Sequence, residues 1–294
     1  MIVSVFLMGC AGQARNSQTA RSSTEATLEK RALPIPEELR EKVSRSEQLG
    51  GELYINDKMA AIGTDVMLEN VNDSQRASIR GYIVFRKADE QGQPTGSWVV
   101  EFFVDETEPK IAYMVHITPP PTAGRVRTQF EVVTPPRKPT DGELILFRSI
   151  RTALAAVLDR PNQVVNPVVI PAQAIGEEGI LVYLLAGTKQ DNVVVMGKHY
   201  RVLVSNHGQK ANKVEPLTKT VLETRLTCPK PDAKPVVLWV THLLTDYPLE
   251  THVFISKLHH LPLVVATKEY TWCISEGKIK LVSLAGKNRS QGNE

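Results

Sequence analysis

The sequence has few cysteines, few aromatic residues and no dense run of charges of one sign. Three cysteines, 6% aromatic residues and a formal net charge of +3 accompany a hydrophobic fraction of 42% in 294 residues. This is the composition of a globular protein rather than of a disordered or membrane-spanning one. The basic residues are scattered along the chain, which argues against a nucleic-acid partner. The chain is long enough for one large core or two small ones.

The sequence also lacks the motifs of the commonest catalytic sites. It contains no Gly-x-Ser-x-Gly, no phosphate-binding glycine loop ending in Lys-Ser or Lys-Thr, no His-Glu-x-x-His and no dinucleotide-binding fingerprint. No segment repeats at a fixed period, which disfavours a solenoid or a propeller. The sequence therefore indicates no cofactor, and it does not identify a reaction.

A short apolar segment stands at the start of the chain. Residues Ile2–Met8 lead into Leu7-Met8-Gly9-Cys10, which resembles the lipobox of bacterial lipoproteins. The resemblance implies a signal peptide, a lipid on Cys10 and a place in the cell envelope. Ala11 after the cysteine implies, by the same resemblance, the outer membrane, facing the periplasm. Signal peptides open with a positive charge, and none precedes Arg15, so an ordinary apolar N-terminus that carries a cysteine is the alternative.

Composition divides the chain into five segments. Residues 1–10 are the signal and lipobox, and residues 11–34 are predicted to be a flexible tether because they carry too little apolar surface to offset the entropy of ordering. Two α+β domains are predicted over residues 35–134 and 141–284, on either side of a proline-rich connection. Residues 285–294 form a polar tail.

Hydrophobic patterns predict an α+β fold of two halves, with mainly antiparallel sheets and a few packed helices. A helix starts at Pro36 and ends at Gly50-Gly51, and a second helix covers residues 55–66. β-branched and aromatic runs broken by turn residues then predict an antiparallel meander of four strands, at residues 81–85, 98–104, 111–117 and 126–133.

The second half mixes strand-like runs with two predicted helices. Thr140 and Glu143 form a capping box that starts the first of these helices, which ends before Pro161. Further along, the strand-like runs 236–240 and 263–266 flank a helix that follows a proline. Strand, helix and strand over this length predict one βαβ crossover in this half.

Two cysteines remain once Cys10 is assigned to the lipid. Cys228 and Cys273 form an even pair in a chain that would face an oxidising compartment, which predicts a disulfide bond. The bond would close a loop of about 45 residues and stabilise the fold by roughly 4 kcal/mol. Two unlinked buried thiols are the alternative.

Histidines cluster in the second half, where six of the seven lie between residues 199 and 260. His242 follows a predicted strand, at the sheet edge where ligands often bind. The three histidines at 199, 242 and 252, with Glu250, could supply zinc ligands and a base that activates water. Arg201 could bind an anionic ligand. The candidate site residues are His199, Arg201, His242, Glu250 and His252.

Helix geometry argues against the simplest zinc site. Glu250 and His252 are two residues apart, so they differ by about 200° around a regular helix and cannot share a metal ion. The alternative is structural: Glu250 complements the helix dipole and the histidines bond to the backbone or lie partly exposed. Arg201 likewise has a structural alternative, an ion pair at the surface. We therefore predict no resident metal.

Two segments of the second half are similar to an uncharacterised family of bacterial envelope proteins. They are Gly197–Arg201, and Thr241–Leu244 together with Pro248–Ser256. The resemblance implies an envelope location and carries no activity.

Together these features predict a lipid-anchored envelope protein with a non-catalytic binding role. Its expected partners are the membrane, through the lipid, and another envelope protein. A more specific version is an immunity protein or an accessory to an envelope system. A periplasmic metal-dependent hydrolase that uses the C-terminal histidines is one alternative, and a passive structural lipoprotein is another.

Overall fold

The computed structural model describes residues 32–105, 107–120, 124–157, 165–218, 222–226 and 237–284. Within these ranges the chain forms helices and mostly antiparallel sheets, which confirms the predicted α+β fold. No helix in the described ranges has the length and apolar character needed to cross a bilayer. Cys10 and Cys228 lie outside these residues, so the lipid attachment and the disulfide stay predictions.

The helices are α1 (Glu37–Asn70), α2 (Asp73–Ser78), α3 (Asp141–Val157) and α4 (Glu250–His259). The strands are β1 (Ile79–Ala88), β2 (Pro94–Val104), β3 (Lys110–Thr118), β4 (Arg127–Arg137), β5 (Val165–Pro171), β6 (Ile180–Ala186), β7 (Val193–Val195), β8 (Tyr200–Val204), β9 (Ala211–Pro216), β10 (Glu223–Arg225), β11 (Leu238–Thr241), β12 (Leu263–Ala266), β13 (Tyr270–Ser275) and β14 (Lys278–Leu284).

The chain folds into two compact units that interleave along the sequence. In the described ranges, the first unit contains residues 55–187 and 200–215, and the second contains residues 32–54, 188–199 and 216–284. This division differs from the predicted boundary at the proline-rich connection. The reason is that β4 runs through those prolines and stays paired with β3, so the chain does not leave the first unit there.

The first unit is built around α3. Strands β1-β2-β3-β4 form the predicted antiparallel meander, and β5-β6-β8-β9 form a second four-stranded sheet. Helix α3 packs against β1 of the meander and against β6 and β8 of the other sheet. Its Phe147 ring stacks on Phe103 with centroids 4.3 Å apart, and burial of such a ring contributes about 2 to 3 kcal/mol. The predicted capping box is present, since the Thr140 N–H donates to Glu143 Oε2 at 2.8 Å.

Helix α1 is one continuous helix, and the predicted break at Gly50-Gly51 is wrong. A Cβ on Gly50 would lie 2.5 Å from Cβ of Val253 on α4. Glycine is therefore used here for close approach of two helices rather than for termination. Residues up to Tyr54 belong to the second unit, and those from Ile55 onward belong to the first.

The second unit holds a sheet of order β11-β12-β13-β14 and a two-stranded ribbon of β7 and β10. Strands β11 and β12 are parallel, and α4 lies between them in sequence, which confirms the predicted βαβ crossover. Helix α4 packs on β12 and β13. The loop that enters α4 is fixed to this sheet, because Nε1 of the fully buried Trp272 donates to the Asp246 carbonyl at 3.0 Å.

Candidate functional site

Three of the five candidate residues come together in the second unit. His199 follows the β7 segment, His242 directly follows β11, and His252 is the third residue of α4. All three side chains are buried. The rings of His242 and His252 meet edge to face with centroids 4.8 Å apart, and His199 is close enough to perturb the titration of His252. We call these three residues the histidine cluster.

His252 caps the start of α4. The N-cap residue, Leu249, has no polar side chain, and its backbone N–H donates to Nδ1 of His252 at 3.0 Å. This is the bond that a Glu or Gln makes at the same position of a capping box. Because Nδ1 accepts, the neutral ring carries its proton on Nε2. Nε2 is buried, and it has no hydrogen-bond partner among the described residues.

His242 is fixed by the loop that follows β11. Its Nε2 lies 2.9 Å from Oγ1 of Thr245, and the Thr245 hydroxyl donates to the Tyr247 carbonyl at 2.5 Å. The Thr245 oxygen is then left to accept, so Nε2 of His242 is the donor and carries the proton. The His242 backbone N–H donates to the Ala266 carbonyl at 2.8 Å, which ties the residue to β12.

The histidine cluster is electrically neutral at pH 7. Burial lowers the pKa of His199 to about 4, partly offset by a hydrogen bond with the backbone of Val195. Burial also lowers the pKa of His242 to about 4. The pKa of His252 lies well below its usual value because of burial and of repulsion from His242 and His199. Each cause disfavours the charged form of the ring.

This arrangement does not fit a zinc site. A metal ligand must present an unprotonated nitrogen, whereas His252 uses its lone pair on the Leu249 N–H and turns Nε2–H toward its neighbours. No group of three His, Cys, Asp or Glu in the described ranges could hold a metal ion. His252 instead bonds to the backbone, which is the structural alternative that we gave. Its ring contact with His242 connects the end of β11 with the start of α4.

Arg201 and Glu250 have structural roles in the positions that the fold gives them. Arg201 lies on β8 in the first unit, and its Nε donates to Glu215 Oε2 at 2.9 Å. Arg201 is therefore in an ion pair, which is the alternative that we gave to anion binding. Glu250 is buried at the first position of α4, where its charge complements the helix dipole.

A buried polar group around Asp57 escaped the sequence reasoning. The helical spacing left Asp57 off the apolar face of α1, yet the side chain is buried, and Asn166 Nδ2 donates to its Oδ1 at 3.1 Å. Burial raises the pKa of Asp57 to about 6. Burial and the Asp57 charge raise the pKa of Tyr82. No local signal reveals this group, because Asn166 is 109 residues away in sequence.

Glu101 forms a second buried group in the first unit. Arg137 bridges two carboxylates: Nη2 donates to Glu101 Oε1 at 2.7 Å, and Nη1 donates to Glu143 Oε2 at 2.8 Å. Burial, with repulsion from Glu143, raises the pKa of Glu101 to about 7. A sequence signal existed here, since Glu101 is the one charged residue in the apolar strand-like run 98–104.

Exposed apolar residues precede and follow His242 in the sequence. Along residues 239–244, which we call the edge segment, Trp239 is 61% exposed, Leu243 68% and Leu244 38%. Trp239 belongs to β11, which is an edge strand of its sheet among the strands that the structure describes. The backbone N–H groups of Leu238 and His242 point to β12. Because the backbone N–H groups of successive strand residues point to opposite sides, those of Trp239 and Thr241 point away from β12.

The other edge strands of the three four-stranded sheets are protected against pairing. In the described ranges β1, β9 and β14 carry lysine or arginine, β5 carries prolines, and β4 carries both. Charges and prolines are the usual means of blocking an open edge. At the far edge of the β11 sheet, Leu33 also bridges β14, its N–H donating to the Leu281 carbonyl at 2.7 Å. β11, with the sequence Leu-Trp-Val-Thr, has none of these devices.

Compared with protein-family models, curated proteins and solved structures, the chain gives no match. The function is therefore argued from the geometry of the described residues.

Proposed function

We propose that the chain is a binding protein of the bacterial cell envelope that holds an extended segment of a partner protein against the free edge of β11. The observation that carries this proposal is the outer edge of β11, which pairs with no other described strand, has no charge and no proline, and carries an exposed tryptophan. The lipobox resemblance at Cys10 supplies the envelope part of the proposal.

An extended segment is the partner that satisfies this surface best. The N–H and C=O groups of Trp239 and Thr241 point away from β12, so a new strand can pair with them as in other β-augmentation complexes. Trp239, Leu243 and Leu244 then supply apolar contacts beside the new strand. Tryptophan is the residue type most enriched among the dominant contacts of interfaces.

Photocrosslinking in cells tests the proposed contact. A photoreactive phenylalanine analogue is placed at position 239 of the full chain, and adducts are resolved by mass. We expect a discrete protein adduct that Thr241→Pro removes, because proline deletes an outward N–H without touching a bond to β12. Thr241→Ala, which keeps that N–H, is expected to retain the adduct.

The same analogue at position 132 is the matched control. Val132 is also an exposed apolar residue on an edge strand, 54% exposed on β4, but its strand is protected by charge and proline. Equal adducts at both positions, or an adduct at 239 that survives Thr241→Pro, would contradict recognition through the β11 edge.

The lipid anchor has a separate test. Growing cells that express the chain are labelled with a radioactive fatty acid, and the chain is purified. We expect the label in the unaltered chain and none in a Cys10→Ala variant. An unlabelled chain, or equal label in the two, would refute the anchor while leaving the β11 contact to be judged by crosslinking.

A further inference from the structure

The histidine cluster lies directly behind the edge segment, since His242 belongs to that segment. We infer that His242 and His252 form a proton-sensitive latch that keeps the edge segment in its strand position at neutral pH and releases it in acid. The inference concerns regulation of the proposed binding surface and rests on the proposed function for its consequence, while the latch itself is a property of the fold.

The latch joins two ends of the βαβ crossover. His242 closes β11 and bonds to Thr245 of the following loop, and His252 caps the start of α4 by accepting the Leu249 N–H. The two rings touch edge to face at 4.8 Å. The strand end and the helix start are therefore held together through two neutral imidazoles and their backbone partners.

Protonation breaks these interactions one by one. A proton on Nδ1 of His252 turns this nitrogen from an acceptor into a donor. Two donors then face each other, and the hydrogen bond from the Leu249 N–H to Nδ1 is lost. The new charge also stands in the first turn of α4, where the helix dipole repels cations. A second charge on His242 would lie against the first at ring-contact distance, in a buried site that cannot hydrate it.

Other charges around the cluster do not compensate. Besides the histidines of the cluster, the titratable and charged groups on α4, on β11, β12 and β13 and in the loop between β11 and α4 are Asp246, Tyr247, Glu250, Lys257, His259, Tyr270 and Cys273, and Lys198 precedes His199. The lowered pKa of the three histidines arises from burial and from the histidines themselves. No carboxylate is among the causes of the lowered pKa values of these three residues.

The direction of the pH effect follows from these shifts. A released histidine titrates near its usual pKa of about 6.5, whereas the pKa of His242 in the closed form is about 4 and that of His252 lies well below its usual value. The open form therefore binds more protons, and closure is lost as pH falls from 6.5 toward 4. At pH 5 His242 alone favours opening about 30-fold, and His252 adds to the effect in the same direction.

Hydrogen exchange of the full chain measures the latch without any partner. Exchange of residues 238–249 is followed by mass spectrometry at pH 7.5 and pH 5.0, corrected for the intrinsic effect of pH. We expect protection of this segment to fall at least tenfold at pH 5.0. Unchanged protection at the two pH values would overturn the inference.

Two isosteric substitutions separate titration from packing. His242→Gln keeps a donor for Thr245, and His252→Asn keeps an acceptor for the Leu249 N–H, but neither side chain titrates. We expect the double variant to keep its protection at pH 5.0, and each single variant to lose less than the unaltered chain. His116→Gln is the control, because His116 pairs with Glu131 in the first unit, and it is expected to leave the acid response unchanged.

Failure of the latch and failure of the binding site are distinguishable. Acid loss of protection that persists in the double variant, or that is as large in both single variants as in the unaltered chain, would refute the latch even if position 239 crosslinks to a partner. If the double variant does not fold at pH 7.5, as judged by circular dichroism, the two single variants carry the comparison. A latch that opens as expected beside an absent crosslink would refute the binding surface alone.

Discussion

At the scale of single residues, the neighbouring glycines of α1 have opposite roles. Gly50 faces α4, where a Cβ would meet Cβ of Val253 at 2.5 Å and the Glu250 carbonyl oxygen at 2.7 Å. No atom of the described residues lies within 4 Å of a Cβ placed on Gly51. The first glycine is required by packing, while the second only weakens the helix.

This contrast gives a paired prediction. We expect Gly50→Ala to destabilise the protein by about 1 to 3 kcal/mol through overpacking, and Gly51→Ala to stabilise it by about 0.5 to 1 kcal/mol through helix propensity. Urea unfolding of the two variants measures both effects. Equal shifts of the same sign would show that the close contact between α1 and α4 is wrong.

The residue scale also shows what the sequence could reveal about the site. The density of histidines after residue 199 identified His199, His242 and His252; the rings of His242 and His252 touch, and His199 is close enough to lower the pKa of His252. Their tautomers could not be predicted, because they depend on the Leu249 N–H and on the Thr245 hydroxyl. Arg201 was drawn into the candidate site by its nearness in sequence to His199, although the two residues belong to different units.

At the scale of elements, Arg137 holds β2, β4 and α3 together. It lies at the end of β4 and bonds to Glu101 on β2 and Glu143 in the first turn of α3. Removing one partner of such a buried group leaves the other uncompensated, which costs several kcal/mol.

We therefore expect Arg137→Met to destabilise the fold by about 3 kcal/mol at pH 8. The loss should shrink at pH 5.5, since burial and Glu143 raise the pKa of Glu101 to about 7, and the protonated acid no longer needs a cation. Arg127→Met, at the exposed start of the same strand, is the control and should cost little. Urea unfolding at the two pH values measures the loss of stability. An equal loss at both pH values would refute the account of Glu101.

Elements were more predictable than their connections. The capping box and apolar stripe of α3, the four-stranded meander and the βαβ crossover all follow from local pattern and are present. The continuity of α1 was missed because Gly50-Gly51 reads locally as a helix end, and only the contact with Val253 explains why glycine is needed there. The open edge of β11 was missed because no pattern within four residues tells an edge strand from a central one.

At the scale of the whole molecule, the two units should respond to acid in opposite directions. In the first unit the folded-state pKa of Asp57 is raised to about 6 and that of Glu101 to about 7. The folded form then binds more protons than the unfolded form, so stability rises as pH falls from 8 to 5. In the second unit the lowered pKa of each clustered histidine makes stability fall over the same range.

We expect each change to be about 4 kcal/mol between pH 8 and pH 5. Hydrogen exchange measures it, with α3 and β2 reporting on the first unit and β12 and β13 on the second. Glu101→Gln should reduce the pH dependence of the stability of the first unit, and His242→Gln should reduce that of the second. A parallel loss of protection in both units on acidification would contradict this assignment of the buried groups.

The central claim is that the outer edge of β11 is free to accept a strand, and amide exchange resolved by residue tests it most directly. In the full chain at pH 7 we predict that the amides of Val240 and His242, which point to β12, are protected at least about a hundredfold. The amides of Trp239 and Thr241 should exchange close to the rate of an unstructured chain. Equal protection of all four would mean that the edge is already covered within the protein, and the proposed binding site would be wrong.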